Sequence, residues 1–290
     1  MNTDVFLLGG DLPIQRVGFG AMRLCGQPGN FGPYPDWESG KRLIRRAIEL
    51  GINFIDTAHA YGPGWNESLL GEVLEEVGRG DVVVATKGGV EKTAPDRVFA
   101  DGRPEQLRLR CEESLKRLRL EQIPLYQLHR PDPNVPFEES VGALAQLRTE
   151  GKIRHIGLSN VTLEQIQRAR SLTPIASVQN RFNLTETTDN PVVDFCFAHG
   201  MAYLPWGPLA AKPFSPEAPL SFDGRLARIA QAHSATESQV ALAWLLQRAP
   251  HIVLIPGTTS TVHLEENAAA RRLHLLPAEI LILNSLGSVG

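Results

Sequence analysis

Four polar residues in the first half of the chain could carry out acid–base chemistry together. Asp56 ends the apolar run NFID, and Tyr61 follows five positions later in the segment NFIDTAHAYG. Lys87 closes the run VVVATK, and His129 closes IPLYQLH. A phenol beside a cation can deliver a proton near neutral pH, because the cation stabilises the phenolate and lowers a pKa that is ordinarily about 10. Asp56 would keep Lys87 charged, and His129 would hydrogen-bond an oxygen on which negative charge develops.

These four residues stand at or just after the ends of short apolar runs, which alternate along the chain with amphipathic segments. The runs that we predict as strands are RVGFG, NFID, VVVATK, IPLYQLH, IRHIGLSN, SVQN, AYLPW and HIVLIPG. Helical periodicity fills the intervals. SGKRLIRRAIELG ends at Gly51, a suitable C′ residue, NESLLGEVLEEVG starts at Asn66 as a predicted N-cap, and PEQLRLRCEESLKRLRL opens with Pro104.

Eight strand–helix units in one series predict an α/β fold with parallel strands, and the chain length favours a closed (β/α)₈ TIM barrel as one domain over residues 1–290. An open doubly wound sheet is the alternative, but VGFGAMRLCG lacks the GxGxxG spacing that such sheets carry after their first strand. The leading VFLLGGDLPIQR predicts a short hairpin that closes the barrel bottom. In a barrel the carboxyl ends of the strands meet at the active-site face.

Composition excludes several functional classes. The 290 residues are 42% hydrophobic and 21% charged, with a net charge of −3 and no basic block that would bind nucleic acid. Three scattered cysteines and the absence of a CxxC argue against a disulfide framework. MNTDVFLLGGDLP lacks the features of a signal peptide, and no apolar run approaches the roughly 18 residues of a membrane span. We expect a soluble, cytoplasmic monomer that binds neither nucleic acid nor membranes.

The four residues, in this chain order, resemble the signature of the aldo-keto reductase superfamily. The resemblance covers nearly the whole chain and includes GFGAMRL, EGKIRHIGLSN, VQNRFN, and IPGTTS followed by HLEEN. FGPYPDW, LPWGPLA and IPGTTSTVHLEENAAA are similar to a bacterial branch of small-aldehyde and pyridoxal reductases. The resemblance implies reduction of a small carbonyl substrate by NADPH rather than NADH, with Tyr61 as proton donor, Lys87 and Asp56 activating it, and His129 orienting the carbonyl. Aromatic aldehydes and pyridoxal are the substrates it suggests.

The same resemblance implies a set of cofactor-binding residues. Ser159, Asn160 and Gln179 would hold the nicotinamide carboxamide, Tyr203 would stack on the ring, and Leu204 and Trp206 would lie beside it. In the turn GTTSTVHLEEN the phosphate-binding residues would be Gly257, Thr258, Thr259, Ser260 and His263, while Glu266 and Asn267 would meet the adenine. A hydroxyl-rich turn that opens a helix also suits an anion on physical grounds. Gly257 and His263 replace a lysine and a frequent arginine of the family pattern, which removes positive charge.

Aromatic residues in the Gly/Pro-rich loops after the first two strands are candidates for an apolar substrate-pocket wall. They are Phe31, Tyr34, Trp37 and Trp65, with Trp206 and Phe214 as further candidates after the seventh strand. The short loop RPDPNVP and the short C-terminal segment predict an open pocket suited to small aldehydes. The histidines occur singly, with no HxH or HExxH, so we expect no metal site.

Two other functional classes compete with a reductase. A non-enzymatic regulator of the same fold would keep the NADPH site, although the channel-associated subunits of this type carry extra N-terminal segments. A Schiff-base lyase would use Lys87 as an imine-forming amine. The lyase would need neither Tyr61 nor the phosphate-binding turn.

Overall fold

The computed structural model describes residues 4–209 and 224–288, in which strands and helices alternate as the sequence predicts. The strands are β1 (Val5–Leu8), β2 (Leu12–Gln15), β3 (Phe19–Gly20), β4 (Phe54–Asp56), β5 (Val83–Gly88), β6 (Val90–Ala94), β7 (Arg97–Ala100), β8 (Ile123–Leu128), β9 (Ile153–Ser159), β10 (Ser177–Gln179) and β11 (Ala202–Tyr203). The helices are α1 (Trp37–Glu49), α2 (Trp65–Val77), α3 (Pro104–Leu118), α4 (Phe137–Thr149), α5 (Leu163–Leu172), α6 (Asn190–Ala198), α7 (Arg225–Ala232), α8 (Glu237–Arg248), α9 (Thr261–Ala269) and α10 (Pro277–Asn284).

Seven of the strands form a parallel sheet in the order β11-β10-β9-β8-β5-β4-β3. Residues 252–254 lie between its two edges, because Ile252 bridges Tyr203 on one side and Leu254 bridges Val17 on the other, both in parallel. The backbone N–H of Val253 donates to the Tyr203 carbonyl at 2.9 Å, and that of Gly18 donates to the Leu254 carbonyl at 2.8 Å. The predicted run HIVLIPG therefore supplies the eighth strand position, and the (β/α)₈ barrel is confirmed.

The predicted N-terminal hairpin is also present, since β1 and β2 pair antiparallel through a turn at Gly9 and Gly10. A Cβ on Gly9 would lie 2.2 Å from the imidazole of His155, so only glycine allows the turn to approach this ring. Asp11 accepts hydrogen bonds at 2.7 Å from both Arg154 and His155, which stand at the start of β9. These contacts attach the hairpin to the amino-terminal end of the barrel, opposite the face where the strands end.

Several local features differ from the sequence-based expectations. Asn66 is not an N-cap: α2 begins one residue earlier, after Gly64, and Asn66 is buried inside it. Its side chain accepts from the Thr57 hydroxyl at 2.6 Å and donates to the carbonyls of Ala21 and Leu24 at 2.8 Å, so it joins two loops of the active-site face. The hairpin β6–β7 and helix α10 were not predicted. Among the described residues, no helix combines the length and apolarity needed to cross a membrane.

Candidate active site

The pleat of the barrel strands decides which side chains reach the active-site face. In β5, Val83 and Ala85 pack in the apolar cluster inside the barrel, whereas Val84 packs in a cluster under the surrounding helices. Because side chains alternate between the two faces of a strand, Lys87 belongs to the inner set. The same alternation places Asp56 two residues after the inward Phe54 and Gln127 two residues after the inward Leu125. Neighbouring strands thus bring Asp56, Lys87 and Gln127 together above the barrel core.

The ammonium of Lys87 is the centre of this polar group. It is completely buried and donates to Asp56 Oδ1 at 2.5 Å, to the Thr57 carbonyl at 2.9 Å and to Tyr61 Oη at 3.3 Å. These bonds use all three of its protons. Since the phenol oxygen of Tyr61 accepts from Lys87, its own O–H remains available to donate towards the cleft.

Two amides hold the carboxylate that pairs with this lysine. Gln127 Nε2 donates to Asp56 Oδ2 at 3.2 Å, and Gln179 Nε2 donates to the same oxygen at 2.8 Å. Asp56 is 3% exposed, so these donors and Lys87 replace the water that a carboxylate would otherwise require. Sequence reasoning missed Gln127, which the alternation from Leu125 to His129 could have indicated.

Charge and burial set the protonation states. Burial alone would lower the pKa of Lys87, but the attraction of Asp56 and their hydrogen bond outweigh it and leave the pKa raised. The lysine therefore stays an ammonium at neutral pH, which disfavours its use as an imine-forming amine. Burial also raises the pKa of Tyr61, and the attraction of its phenolate to Lys87 offsets this only in part. The lowered phenol pKa expected from the sequence is thus wrong for this structure, and Tyr61 keeps its proton at neutral pH.

His129 lies beside the phenol at the mouth of the barrel. Its ring meets that of Tyr61 edge-on, with 5.8 Å between the centroids. Burial, together with the positive charges of Lys87 and Arg130, holds the pKa of His129 well below its usual range, so the imidazole is neutral. Its buried Nδ1 has no hydrogen-bond partner within residues 4–209 and 224–288. The proton of Tyr61 and a neutral imidazole therefore flank one point of the cleft, where a carbonyl oxygen could accept from both residues.

The cleft that contains these groups has about 1380 Å³ of space free of protein atoms, open solvent included. Four of the predicted cofactor residues at the ends of later strands line it, namely Ser159, Asn160, Gln179 and Trp206. Asn160 adopts a left-handed φ of 57° and donates to the His129 carbonyl at 3.0 Å. Trp206 Nε1 donates to Asn160 Oδ1 at 3.2 Å, which fixes the indole against the cleft.

Tyr203 and Leu204, which the sequence predicts as cofactor residues at the seventh strand, do not line the cleft. Tyr203 is completely buried outside the barrel, where its ring packs edge-on against Phe182 and its hydroxyl donates to Asp189 at 2.5 Å. Leu204 points inward but belongs to the apolar cluster below the cleft. The expectation that Tyr203 stacks on a nicotinamide ring is therefore wrong. Trp206, two residues beyond Leu204, is the aromatic side chain that lines the cleft.

The turn after the eighth strand borders the other end of the cleft through Gly257. A Cβ at this position would lie 2.8 Å from the Gly20 carbonyl, which explains the glycine where the family pattern has a lysine. Arg23, which sequence reasoning missed, also lines the cleft, and its Cγ would be 3.8 Å from that Cβ. The side chain of Arg23 therefore passes beside the turn that lacks the lysine.

The remaining residues of this turn lead into α9. Thr258 Oγ1 accepts from the Ser260 backbone N–H at 3.0 Å, and Ser260 caps the helix by accepting from the His263 N–H. Thr259 and His263 are exposed on the surface of this helix start, Glu266 is half-buried, and Asn267 is buried. Of the predicted residues in this segment, Gly257 lines the cleft and the others lie beyond it.

Of the aromatic residues predicted to form a pocket wall, Phe31, Tyr34, Trp37 and Trp65 do not line the cleft, whereas Trp206 does. Tyr34 and Trp37 pack against the apolar cluster that joins α1 and α2, and the Trp37 ring lies 6.1 Å from that of Trp65. The Phe31 backbone N–H bonds to Gly26 within the same loop. Phe214 lies outside the described residues. The apolar wall is instead formed by Met22, Val90, Val98, Trp206 and Leu209.

The chain is similar to known proteins along nearly its whole length. The Aldo/keto reductase family model matches residues 16–287. An uncharacterized oxidoreductase of Schizosaccharomyces pombe is 41% identical over 266 residues, which cover 92% of this chain and 84% of that protein. Pyridoxine 4-dehydrogenase of Escherichia coli is 37% identical over 281 residues, which cover 95% of each chain.

Two solved structures show the same architecture. The glycerol dehydrogenase of Gluconobacter oxydans superposes with a TM-score of 0.87 at 28% identity and covers 99% of this chain and 95% of its own. An aldo-keto reductase of Klebsiella pneumoniae, solved in complex with NADPH, superposes with a TM-score of 0.80 at 26% identity and covers 99% of this chain and 95% of its own.

Proposed function

The chain belongs to the aldo/keto reductase family of NADP-dependent oxidoreductases, and we propose that it reduces small aldehydes and ketones with Tyr61 as the proton donor. One observation carries this proposal. Lys87 binds Asp56 and Tyr61 at once, at the mouth of a barrel cleft that His129 also lines. A phenol held in this way keeps its proton until an alkoxide develops beside it, and the adjacent ammonium stabilises the phenolate that remains.

His129 and Asp56 have supporting roles in this proposal. A neutral imidazole can hydrogen-bond the carbonyl oxygen without placing a further cation beside Lys87, and it orients the substrate relative to Tyr61. Asp56 keeps the buried lysine charged, and the two glutamines keep the carboxylate in place.

NADPH supplies the hydride when bound. The side chains that line the cleft fit such a cofactor: the oxygens of Asn160 and Gln179 can accept from a carboxamide, the second N–H of Gln179 can donate to it, Ser159 adds a hydroxyl, and Trp206 offers an aromatic face. We place the phosphates near Gly257 and the amino-terminal end of α9, with Thr258 and Ser260 at the turn and Arg23 opposite. Arg23 supports NADPH over NADH, because it restores a positive charge beside the position where the family lysine is missing.

The test is consumption of NADPH by the purified chain with a panel of carbonyl compounds, repeated with NADH. The panel contains benzaldehyde, glyceraldehyde and pyridoxal, the last because the E. coli relative is a pyridoxine 4-dehydrogenase. We expect turnover of at least one aldehyde, with a kcat/KM about 10-fold or more higher with NADPH than with NADH, as one charge-assisted phosphate contact would produce. Tight NADPH binding without turnover of any carbonyl compound would instead favour a non-enzymatic regulator.

The pH dependence of reduction follows from the two protonation states. Burial raises the pKa of Tyr61, so its phenol stays protonated as the pH rises through neutrality to about 10. The pKa of His129 is lowered well below 6.5, so the ring does not titrate above that pH. We expect kcat/KM for a neutral aldehyde at saturating NADPH to vary less than about 3-fold between roughly pH 6.5 and 9. An inflection near the ordinary histidine pKa would contradict the neutral role of His129.

A further inference from the structure

The cleft carries more positive charge than the catalytic group requires. Arg23, Lys92 and Arg130 all line it, and Asp56, the one carboxylate among the described residues that line it, is already bound to Lys87. None of these three cations forms an ion pair with a described residue. The chain as a whole has a net charge of −3, so the cleft is a cationic site on an acidic protein. Such an arrangement attracts anions into the cleft.

The three cations belong to three different segments of the cleft wall. Arg23 stands beside Gly257, on the side that we assign to the cofactor phosphates. Lys92 lies on β6, the strand that follows the Lys87 strand, and Arg130 follows His129 directly. A Cβ on Gly89, just before β6, would lie 3.8 Å from the Arg130 carbonyl, so the two segments meet at this wall. Lys92 and Arg130 thus come from neighbouring segments of the cleft wall, and the Lys92 ammonium reaches the loop after β3, where it donates to the Gly29 carbonyl.

The hairpin β6–β7 presents Lys92 to the cleft by the alternation of its side chains. Glu91 points to the other face, where Arg110 donates to it at 2.8 Å, whereas Val90 and Lys92 face the cleft. Val98 is the cross-strand partner of Lys92 and is 47% exposed in the same wall. This face of the hairpin therefore offers apolar surface with one ammonium in its middle.

Lys92 is unusual because its residue is only 8% exposed and has no carboxylate partner within residues 4–209 and 224–288. Its ammonium donates to the Gly29 carbonyl, and burial lowers its pKa. A buried charge is unfavourable unless a counter-charge compensates for the lost hydration. No carboxylate in the described parts of the chain supplies that counter-charge, and Lys92 is among the residues that line the cleft.

We propose that Lys92 and Arg130 bind an anionic group of the carbonyl substrate, a carboxylate or a phosphate, so that the protein prefers small anionic aldehydes to neutral ones. This inference rests on the proposed reductase function and adds the substrate class to it. The apolar wall at Val90 and Val98 would contact the part of the substrate between the anionic group and the carbonyl. Because both cations would meet the anion in the bound substrate and in the transition state alike, they act chiefly on KM.

The experiment compares terephthalaldehydic acid with its methyl ester, which keeps the aldehyde and the ring but removes the charge. At low ionic strength we expect kcat/KM of the wild-type protein to be about 10- to 100-fold higher for the acid, mainly through KM, and the ratio to fall as salt is added. Lys92→Met combined with Arg130→Met should bring the acid-to-ester ratio of kcat/KM close to one. The kcat/KM for the ester itself should change little. Lys116→Met removes a positive charge from the exposed face of α3 and should leave the ratio unchanged.

Binding measurements separate this inference from the proposed function. The benzyl alcohols that correspond to the acid and to the ester can be titrated into the NADP⁺-loaded protein, with tryptophan fluorescence as the signal. Tighter binding of the anionic alcohol, lost in the double variant, would support the inference even if no aldehyde were reduced. An acid-to-ester ratio near one in the wild type, or one that does not fall with salt, would overturn it. Weaker NADPH binding by the double variant with both substrates equally impaired would also overturn it, because the cations would then serve the cofactor.

Discussion

Tyr61→Phe should lower kcat for aldehyde reduction by about 10²- to 10⁴-fold, the range in which general acid catalysis contributes. The ring and its edge-on contact with His129 remain, so the cleft keeps its shape. What is lost is the O–H that the Lys87 bond leaves free to donate. NADPH affinity should change by less than about 3-fold, because the hydroxyl contributes to the developing alkoxide rather than to cofactor binding.

The matched control for this substitution is Tyr126→Phe. Tyr126 is a fully buried tyrosine on β8 whose side chain faces the outer core, and its hydroxyl lies 3.5 Å from the Leu107 carbonyl. Removing that hydroxyl deletes the same group from the same barrel without touching the cleft, so kcat should stay within about 3-fold of the wild type. Equal activities of Tyr61→Phe and Tyr126→Phe would exclude Tyr61 as the proton donor.

Lys87→Met should abolish measurable reduction and also destabilise the fold. The substitution leaves the Asp56 carboxylate buried with only the amides of Gln127 and Gln179 as side-chain donors. Removing one partner of a buried ion pair typically costs about 3–5 kcal/mol of unfolding free energy, because the other charge stays dehydrated. Chemical denaturation at neutral pH should report a loss of this size. Activity should fall by at least as much as in Tyr61→Phe, because burial then raises the phenol pKa without the opposing ammonium.

A double variant separates the two effects of losing Lys87. Asp56→Asn added to Lys87→Met removes the unpaired charge while keeping a side chain of nearly the same shape. Stability should recover by about 2 kcal/mol or more, since a neutral amide is far easier to bury than a carboxylate. Activity should not recover, because the ammonium beside Tyr61 is still missing. Recovery of both quantities would mean that Lys87 acts only through the integrity of the fold.

The chemistry of the site could be predicted because it depends on local features of the chain. Asp56, Lys87 and His129 follow apolar runs that become neighbouring parallel strands, and parallel strands present their carboxyl ends on one face of the barrel. Residue type and strand position were therefore enough to bring an acid, a lysine and a histidine together. The N-terminal hairpin could also be predicted from the sequence, because its two adjacent glycines allow the turn to form.

The wrong predictions for Tyr203 and for most of the aromatic pocket wall have one physical cause. Contacts between distant segments of the chain decide which way a side chain faces. β11 is apolar on both sides, as buried parallel strands are, so the sequence contains no sign that Tyr203 faces the outer helices while Trp206 reaches the cleft. Trp37 and Trp65 open α1 and α2 near the site, yet their rings pack against each other, and Trp37 also packs against the apolar cluster of these helices. Being close to the site residues in the sequence was therefore not enough to place these two tryptophans in the wall of the cleft.

By itself, the sequence determined the barrel and the meeting of Asp56, Lys87 and His129 at one face of it, because strand order, strand ends and residue type are all local properties. Only the tertiary structure decided that Gln127 and Gln179 hold Asp56, that the Arg23 side chain passes beside Gly257, and that Lys92 and Arg130 line the cleft. Each of these placements depends on the packing of segments far apart in the chain. Such packing sets the orientation and the burial of each side chain. Burial in turn sets the charge state of the titratable groups on which the chemistry depends.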